Sequence, residues 1–254
     1  MRPLIENLDV NTLDWQPLGP AGLYSKQLSR DPDTGARTAL QRLVPADGYS
    51  PPTVAHYHHT YEEIIGVAGL FSFDSKRWIR PLSYVFHPPL TVHGFKSAVS
   101  EESLFLSRVG RDLDFNFVEE PTKDDIYPVD GTPPPREARA YADPVTDPGF
   151  RTVQWGRGTM PVECCVLSAD PLSGEGSAIV RVSPGWRAEI GGGVPGDYLE
   201  WFVMDGDLRV DGDHMGTHFY SFRPAGTFPD VMSSDGGALL YVNFGPPGLF
   251  PDPA

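Results

Sequence analysis

Short apolar and alternating runs, separated by turn residues, fill most of the 254-residue chain. Ten of these runs are three to seven residues long. Runs of this kind predict β-strands, and no stretch of convincing length has the 3.6-residue period of an amphipathic helix. The predicted strands are residues 38–44, 64–67, 70–73, 84–86 and 104–106, followed by 178–182, 198–203, 208–210, 219–222 and 239–243.

Regular spacing of many short strands predicts an all-β fold, an antiparallel sandwich or barrel. Composition agrees, because glycine and proline occur 27 times each and both residues favour turns over helices. A hydrophobic content of 40%, with 11% aromatic residues, is sufficient for a packed core. The length allows one large domain or two small ones.

The strand pattern occurs twice along the chain. The sequence LSRDPDTGARTAL at residues 28–40 is echoed by LSADPLSGEGSAI at residues 167–179. The Asp-Pro-x-(Thr/Ser)-Gly piece in both copies has turn chemistry and predicts a hairpin between two strands. Further matches, with an offset that drifts by only a few residues, pair Gly48 with Gly185, Gly69 with Gly206, and Pro88 with Pro224. The chain therefore contains two copies of one β module.

A polar, proline-rich segment separates the two copies. Residues 1–118 form the first predicted module, residues 119–148 a linker, and residues 149–254 the second module. Proline cannot donate to a strand ladder, so the linker is excluded as a central strand. The three consecutive prolines at 133–135 favour extended polyproline II structure, and the linker could wrap one of the modules.

The net charge limits the expected binding partners, and the cysteines bear on the expected cellular location. The net charge of −14 disfavours nucleic acid and anionic membranes, so we expect a small-molecule substrate and a monomer or homodimer. Cys164 and Cys165 are adjacent, which gives poor geometry for a disulfide. No signal segment and no apolar run long enough for a bilayer is present. A reducing cytoplasm is the expected location.

The chemistry is concentrated in one stretch of the first module. His56 and His58 project from the same face of a strand, because side chains alternate along it. Glu62 follows after a short turn, and His93 could close the arc from a neighbouring strand. Imidazole nitrogens with a carboxylate suit zinc, iron, nickel, copper or manganese better than calcium or magnesium. The alternative is that these are ordinary surface or hydrogen-bonded histidines.

This stretch resembles the two signature motifs of the cupin superfamily. The first motif matches at Gly48, His56, His58, Glu62 and Gly69. In the second motif Pro88 begins a turn that leads to His93, with Leu90 where the family has glycine. Gly48 also lies further upstream of His56 than in the family pattern. Glu63 competes with Glu62 for the ligand role, and we prefer Glu62 because its distance to Gly69 fits the motif.

The resemblance implies a bicupin, two tandem double-stranded β-helix (jelly-roll) modules. It also implies one divalent metal per chain, held by His56, His58, Glu62 and His93. In the second module the corresponding positions are Gly193, Pro195, Leu199 and Pro229, none of which can ligate a metal through its side chain. We therefore predict that the first module carries the chemistry and that the second is a packing partner or lid.

Strand parity suggests further site residues. Phe95 falls on the same face as His93 and is expected over the pocket. Phe71 and Phe73 share a face of their strand, and an aromatic-lined cavity suits a small, fairly apolar substrate. Core packing is the alternative for each aromatic residue. His87 could hold a ligand or substrate oxygen, although an exposed strand end is the favoured interpretation.

Three hypotheses for function follow. The first is an Fe(II) dioxygenase that acts on a small enolisable or phenolic carbonyl compound, with Glu62, Phe95 and His87 as candidate catalytic residues. This hypothesis rests on resemblance to metal-binding cupin enzymes. The second is an isomerase or hydrolase in which zinc, manganese or nickel is a Lewis acid. The third is a non-catalytic zinc-binding sensory or structural bicupin, as in ChrR-type anti-sigma factors.

Overall fold

The computed structural model describes residues 1–51, 53–137, 139–147, 149–158, 160–191 and 197–246, with the backbone alone at residues 140 and 141. The described part of the chain consists of strands and connecting segments, with two short 3-10 turns at Val10–Thr12 and Pro45–Asp47. It falls into two compact units, and all ten predicted strands are confirmed within them.

The first fourteen strands are β1 (Ile5–Asp9), β2 (Gln16–Pro17), β3 (Leu23–Arg30), β4 (Arg37–Leu43), β5 (Ala55–Tyr57), β6 (Glu62–Ala68), β7 (Phe71–Ser72), β8 (Tyr84–His87), β9 (Thr91–Val92), β10 (Ala98–Val99), β11 (Ser103–Val109), β12 (Asn116–Val118), β13 (Tyr127–Pro128) and β14 (Arg139–Ala142). The next eleven are β15 (Arg151–Val153), β16 (Arg157–Gly158), β17 (Val162–Ala169), β18 (Gly176–Val182), β19 (Arg187–Glu189), β20 (Tyr198–Gly206), β21 (Leu208–Val210), β22 (Asp213–Met215), β23 (Phe219–Pro224), β24 (Val231–Ser233) and β25 (Ala238–Phe244).

Each unit contains one seven-stranded antiparallel sheet, and the two sheets are equivalent strand by strand. In the first unit the order is β14-β8-β6-β11-β4-β3-β2. In the second unit the order is β1-β23-β20-β25-β18-β17-β15. Smaller sheets complete each unit: the pairs β10-β7, β12-β5 and β13-β9 in the first, and the five strands β16-β19-β24-β21-β22 in the second. The predicted duplication is therefore a duplication of topology.

The repeated turn sequence forms the predicted hairpin in both units. In the first unit Gly35 N–H donates to the carbonyl of Asp31 over 3.0 Å, and in the second Gly174 N–H donates to Asp170 over 2.8 Å. The φ angles of these glycines are 76° and 79°, which only glycine adopts without steric cost. The turns connect β3 to β4 and β17 to β18, so the motif has a structural role.

The bounds of the two units differ from those of the predicted modules. Residues 2–13, assigned from the sequence to the first module, lie in the second unit because β1 pairs with β23. Residues 119–145, interpreted as linker, lie in the first unit because β14 pairs with β8. Both segments contribute edge strands, which agrees with the exclusion of the linker from the centre of a sheet. Edge pairing depends on tertiary contacts, which a local sequence pattern does not specify.

A buried ionic cluster connects the linker segment to the first unit. The Glu63 carboxylate accepts hydrogen bonds from the Tyr84 hydroxyl over 2.6 Å, Arg108 over 3.0 Å and Arg136 over 3.2 Å. The Arg136 guanidinium also lies 3.8 Å from the centre of the Phe86 ring. Arg136 thus positions the segment that leads into β14.

The second unit repeats this cluster with the N-terminal segment. Glu200 accepts hydrogen bonds from the Tyr220 hydroxyl over 2.7 Å and from Arg2 over 3.0 and 3.1 Å. The Arg2 guanidinium lies 3.9 Å from the centre of the Phe222 ring. Each unit therefore holds an edge strand in place with an equivalent cluster of one arginine, one glutamate and one tyrosine.

The interior of the second unit is apolar, with a core that includes Trp155, Trp186, Trp201 and Leu199. A smaller apolar core in the first unit includes Ile64, Val85 and Phe105. This difference arises because the first unit also buries a set of histidines and one glutamate, which are described next.

Candidate metal centre

Strand ends bring the predicted ligands together in the first unit. His56 lies in β5, Glu62 begins β6, and His87 ends β8. His93 follows β9 and is paired with His56 by two backbone hydrogen bonds of 2.9 Å. His58 follows β5, and its carbonyl accepts from the N–H of Leu90 over 2.8 Å. All four histidines are buried.

The turn that precedes His93 has a left-handed residue at the position where the family motif has glycine. Leu90 has a φ of 59°, a left-handed value that favours glycine. Gly48 and Gly69 also have positive φ, 89° and 76°, as the predicted turns require. Leu90 therefore carries local strain next to the site.

Side-chain nitrogens of His56, His58 and His93 lie within 4.8 Å of one another. Ring centroids are 4.6 Å apart for His56 and His93, and 5.1 Å apart for the other two pairs. The Glu62 Oε2 atom lies 3.3 Å from His93 Nε2 and 4.0 Å from His58 Nε2. The four residues that the sequence singled out thus form one cluster.

Backbone carbonyls fix the orientation of the three rings. In each of these histidines Nδ1 contacts a carbonyl oxygen, so the neutral tautomer donates from Nδ1 and leaves Nε2 free to ligate. The buried Nε2 of His93 faces the Glu62 carboxylate, with Oε2 at 3.3 Å. The carbonyl acceptors are Val54 for His56 at 3.2 Å, Thr91 for His93 at 2.8 Å, and Asp114 for His58.

The electrostatic state of the cluster also fits a metal. Burial and the neighbouring His93 lower the pKa of His56 to about 4, and burial and His87 lower the pKa of His93 to about 4. Burial by itself raises the pKa of Glu62, but the surrounding imidazoles outweigh it and hold that pKa well below its usual value. At pH 7 the imidazoles of His56 and His93 are therefore neutral and the Glu62 carboxylate is ionised, which is the state in which these groups ligate a divalent transition metal.

The two adjacent glutamates of β6 face opposite sides of the strand. Glu62 points to the histidines, whereas Glu63 is fully buried in the cluster with Arg108, Arg136 and Tyr84. Of the two glutamates, Glu62 therefore lies against the histidines and Glu63 lies within the ionic cluster.

His87 is buried in the cluster, which contradicts the favoured interpretation as an exposed strand end. Its ring stacks on that of His93, with centroids 3.9 Å apart and planes inclined by 17°. Its Nδ1 lies 3.6 Å from Glu62 Oε2, and burial lowers its pKa. Antiparallel pairing of β8 with β6 sets His87 opposite Glu62 and turns both side chains inward.

Phe95 was predicted to lie over the cluster, and the structure places it elsewhere. Gly94 has a φ of 74° and starts a turn, so the alternation of a strand does not extend from His93 to Phe95. The Phe95 ring is near Tyr127, at 6.4 Å, and among the described residues its ring contacts include no histidine. Phe73 does reach the cluster, with its ring 5.9 Å from that of His87.

Two phenylalanines that the sequence analysis did not assign lie against the histidines. The Phe115 ring is 4.9 Å from His58 and 5.3 Å from His56, and the Phe117 ring is 6.1 Å from His56. They are 55% and 63% exposed, respectively. The signal in the sequence was the alternating Phe-Asn-Phe pattern at residues 115–117, which lies beyond the last predicted strand of the first module and before the linker.

The second unit has no equivalent cluster among its described residues. Leu199, the counterpart of Glu62, is buried in the apolar core, and its partner Arg223 stands where the first unit has His87. The counterparts of His56 and His58, Gly193 and Pro195, lie outside the described residues.

Comparisons with known proteins agree with the fold. No family model matches the chain, and no curated protein matches its sequence. A proposed dioxygenase from Nostoc punctiforme PCC 73102 superposes with a TM-score of 0.73 at 16% identity, over 98% of this chain and 86% of that one.

Two further solved structures share the fold. A deletion mutant of Bacillus subtilis oxalate decarboxylase has a TM-score of 0.56 at 12% identity, over 95% of this chain and 77% of that one. A cupin 2 conserved barrel domain protein from Leptotrichia buccalis has a TM-score of 0.55 at 12% identity, over 96% and 97%. The fold that the two motifs predicted is thereby confirmed: the chain has the fold of a tandem cupin, with two jelly-roll modules.

Proposed function

We propose that the protein is a metal-dependent cupin enzyme, an Fe(II) dioxygenase acting on a small enolisable or phenolic carbonyl compound. The observation that supports this proposal is the convergence of three buried imidazoles and one carboxylate in one cluster. The similarity of the fold to that of a proposed dioxygenase favours oxygen chemistry over the Lewis-acid and sensory alternatives.

His56, His58, His93 and Glu62 would hold the metal. A redox-active ion such as iron would supply O2 activation, and zinc, manganese or nickel would supply Lewis-acid chemistry. His87 would orient Glu62 from its buried position opposite that residue.

The aromatic wall would select the substrate. Phe115 and Phe117 give the outer side of the cluster an apolar surface, and Phe73 lies on the side of His87. Such a surface would favour a flat, weakly polar compound. The predicted aromatic environment is therefore retained in the proposal, with Phe115 in place of Phe95.

Metal analysis of the protein purified without added metal or chelator tests the site. We expect about one ion per chain, lost in His58→Ala and His93→Ala and retained in His214→Ala, which removes an exposed histidine of the second unit. Equal metal loss in all three variants would contradict the ligand assignment.

The reaction is tested separately, by O2 uptake with a panel of β-diketones and hydroxyacetophenones. We expect uptake only with the iron-loaded protein. Turnover without O2 in the presence of zinc, manganese or nickel would favour the Lewis-acid enzyme. A tightly bound zinc without turnover, together with a protein partner recovered by pull-down, would favour the sensory alternative.

The setting proposed for this activity is cytoplasmic, as a monomer or homodimer with a small-molecule substrate and without nucleic acid or membrane partners. The charge of −14 supports this proposal. Among the described residues there is no helix with the length and apolar character of a membrane span.

A further inference from the structure

Three of the four lysines in the chain line one cavity of the first unit. Lys76, Lys96 and Lys123 surround a space of about 700 Å³. The fourth, Lys26, is buried against the ring of Trp15 at 4.7 Å. In a chain of net charge −14, the cationic lining of this cavity is a local reversal of sign.

The two acidic residues of the lining are already engaged. Asp74 accepts the backbone N–H groups of Lys76 and Arg77 over 2.9 and 2.8 Å, and the Arg77 guanidinium over 2.8 Å. Asp124 accepts from the Lys76 ammonium over 3.2 Å. Lys96, in consequence, has no acidic partner among the described residues.

Lys123 likewise forms no ion pair with a described acidic residue. Its ammonium lies 5.8 Å from the centre of the Tyr127 ring. Lys96 and Lys123 are both exposed, so their ammonium groups are accessible to an anion from solvent. Lysine presents a compact charge with three donors, which suits a carboxylate.

An apolar surface adjoins the cationic one. Phe95 and Pro121 line the lysine cavity and also a second cavity of about 340 Å³. The second cavity is otherwise lined by the apolar Val54, Ala55 and Val118, together with Thr53 and the acidic Glu119. The shared Phe95 and Pro121 therefore form a boundary between a charged and an apolar compartment.

Within the described part of the chain no histidine lines either cavity, so this is a site distinct from the metal cluster. We propose that the paired cavities bind a small amphipathic carboxylate, with its anionic group on Lys96 and Lys123 and its apolar body against Phe95. Binding does not depend on the metal, and the site also accounts for the position of Phe95 away from the histidines.

Fluorine NMR titration with fluorobenzoate tests the proposal on the full chain. We expect saturable binding, a dissociation constant at least about tenfold higher in Lys96→Gln/Lys123→Gln, and weaker binding in Phe95→Ala. The matched control is Arg181→Gln/Arg209→Gln, which removes two exposed positive charges of the second unit and should leave the constant within about twofold.

Two further arms separate this site from the metal cluster and from general charge attraction. His58→Ala should bind fluorobenzoate as the unaltered protein does, and fluorobenzyl alcohol, which has the ring without the charge, should not bind. Absence of saturation at about 10 mM fluorobenzoate, equal weakening in the two double variants, or loss of binding in His58→Ala would each overturn the proposal.

Discussion

At the scale of the residue, Glu62 and Glu63 are neighbours with opposite surroundings. We expect Glu62→Gln to lower metal affinity at least about tenfold with little change in the free energy of unfolding, because it removes a charged ligand. We expect Glu63→Gln to lower the free energy of unfolding by about 3–5 kcal/mol, because two buried arginines lose their counter-charge. Metal titration and urea unfolding of both variants measure the contrast.

The opposite pattern would contradict the assignment. If Glu63→Gln lost metal while keeping its stability, Glu63 would be the ligand. Sequence alone had to leave this choice to motif spacing, because both residues lie at the start of the same strand and only the pairing of β6 fixes which one faces the histidines.

Gly94 offers a second test at this scale. A Cβ atom at this position would lie 2.7 Å from Cε1 and 3.0 Å from Nδ1 of His56. We expect Gly94→Ala to displace the His56 ring and to lower metal affinity by about tenfold or more. Metal titration measures this effect.

The matched control for this substitution is Gly131→Ala. Gly131 has a similar φ of 76°, but a Cβ atom added there would meet nothing within 4 Å among the described residues. Both variants carry the backbone strain of about 1 kcal/mol, and only Gly94→Ala should lose metal. Equal metal affinity in the two variants would show that the ring contact does not matter.

The residues of the candidate site were predictable to the extent that strand alternation held. His56, His58, Glu62 and His93 converge as their spacing indicated. The prediction for Phe95 was wrong because the positive φ of Gly94 ends the strand alternation. Sequence alone does not show which glycines adopt a positive φ.

At the scale of the element, hairpins were predictable and edge strands were not. The Asp-Pro-x-(Thr/Ser)-Gly turns carry their geometry locally and occur as expected in both copies. The strands β1 and β14 are edge strands whose partners are chosen by distant contacts, so the module boundaries drawn at residues 118 and 149 missed them. In the structure, each of these edge strands follows a buried arginine, Arg2 or Arg136, that pairs with a buried glutamate.

The N-terminal segment that carries Arg2 and β1 gives a prediction for the stability of the second unit. Arg2→Met leaves Glu200 buried without its cation, and we expect the free energy of unfolding of this unit to fall by about 3–5 kcal/mol. The fluorescence of the buried Trp155, Trp186 and Trp201 during urea unfolding reports this unit.

A second substitution in the same pair separates the lost charge from lost packing. In Arg2→Met/Glu200→Leu both charges are absent, so most of the lost stability should return. Metal content should stay unchanged in both variants, because the cluster belongs to the other unit. If Arg2→Met were as stable as the unaltered protein, the ion pair would not stabilise the N-terminal segment on the second unit.

At the scale of the whole molecule, the two modules have the same topology and different interiors. The first buries four histidines next to Glu62, whereas the counterpart of Glu62 in the second is Leu199, within an apolar core that includes three tryptophans. A metal bound by the histidines would therefore contact the first module and not the apolar core of the second.

This asymmetry predicts a local response to metal removal. A ligand that binds the native state stabilises it by RT ln(1 + [L]/Kd), about 2.7 kcal/mol at a hundredfold excess over Kd. We expect chelation to increase hydrogen exchange in β5, β6, β8 and β9, where the cluster residues lie, and to leave β18, β20 and β25 unchanged. His58→Ala should show the faster exchange with or without metal. Because the two sheets are equivalent strand by strand, the second unit is an internal reference for the first, and equal responses in both would mean that the metal does not act through this cluster.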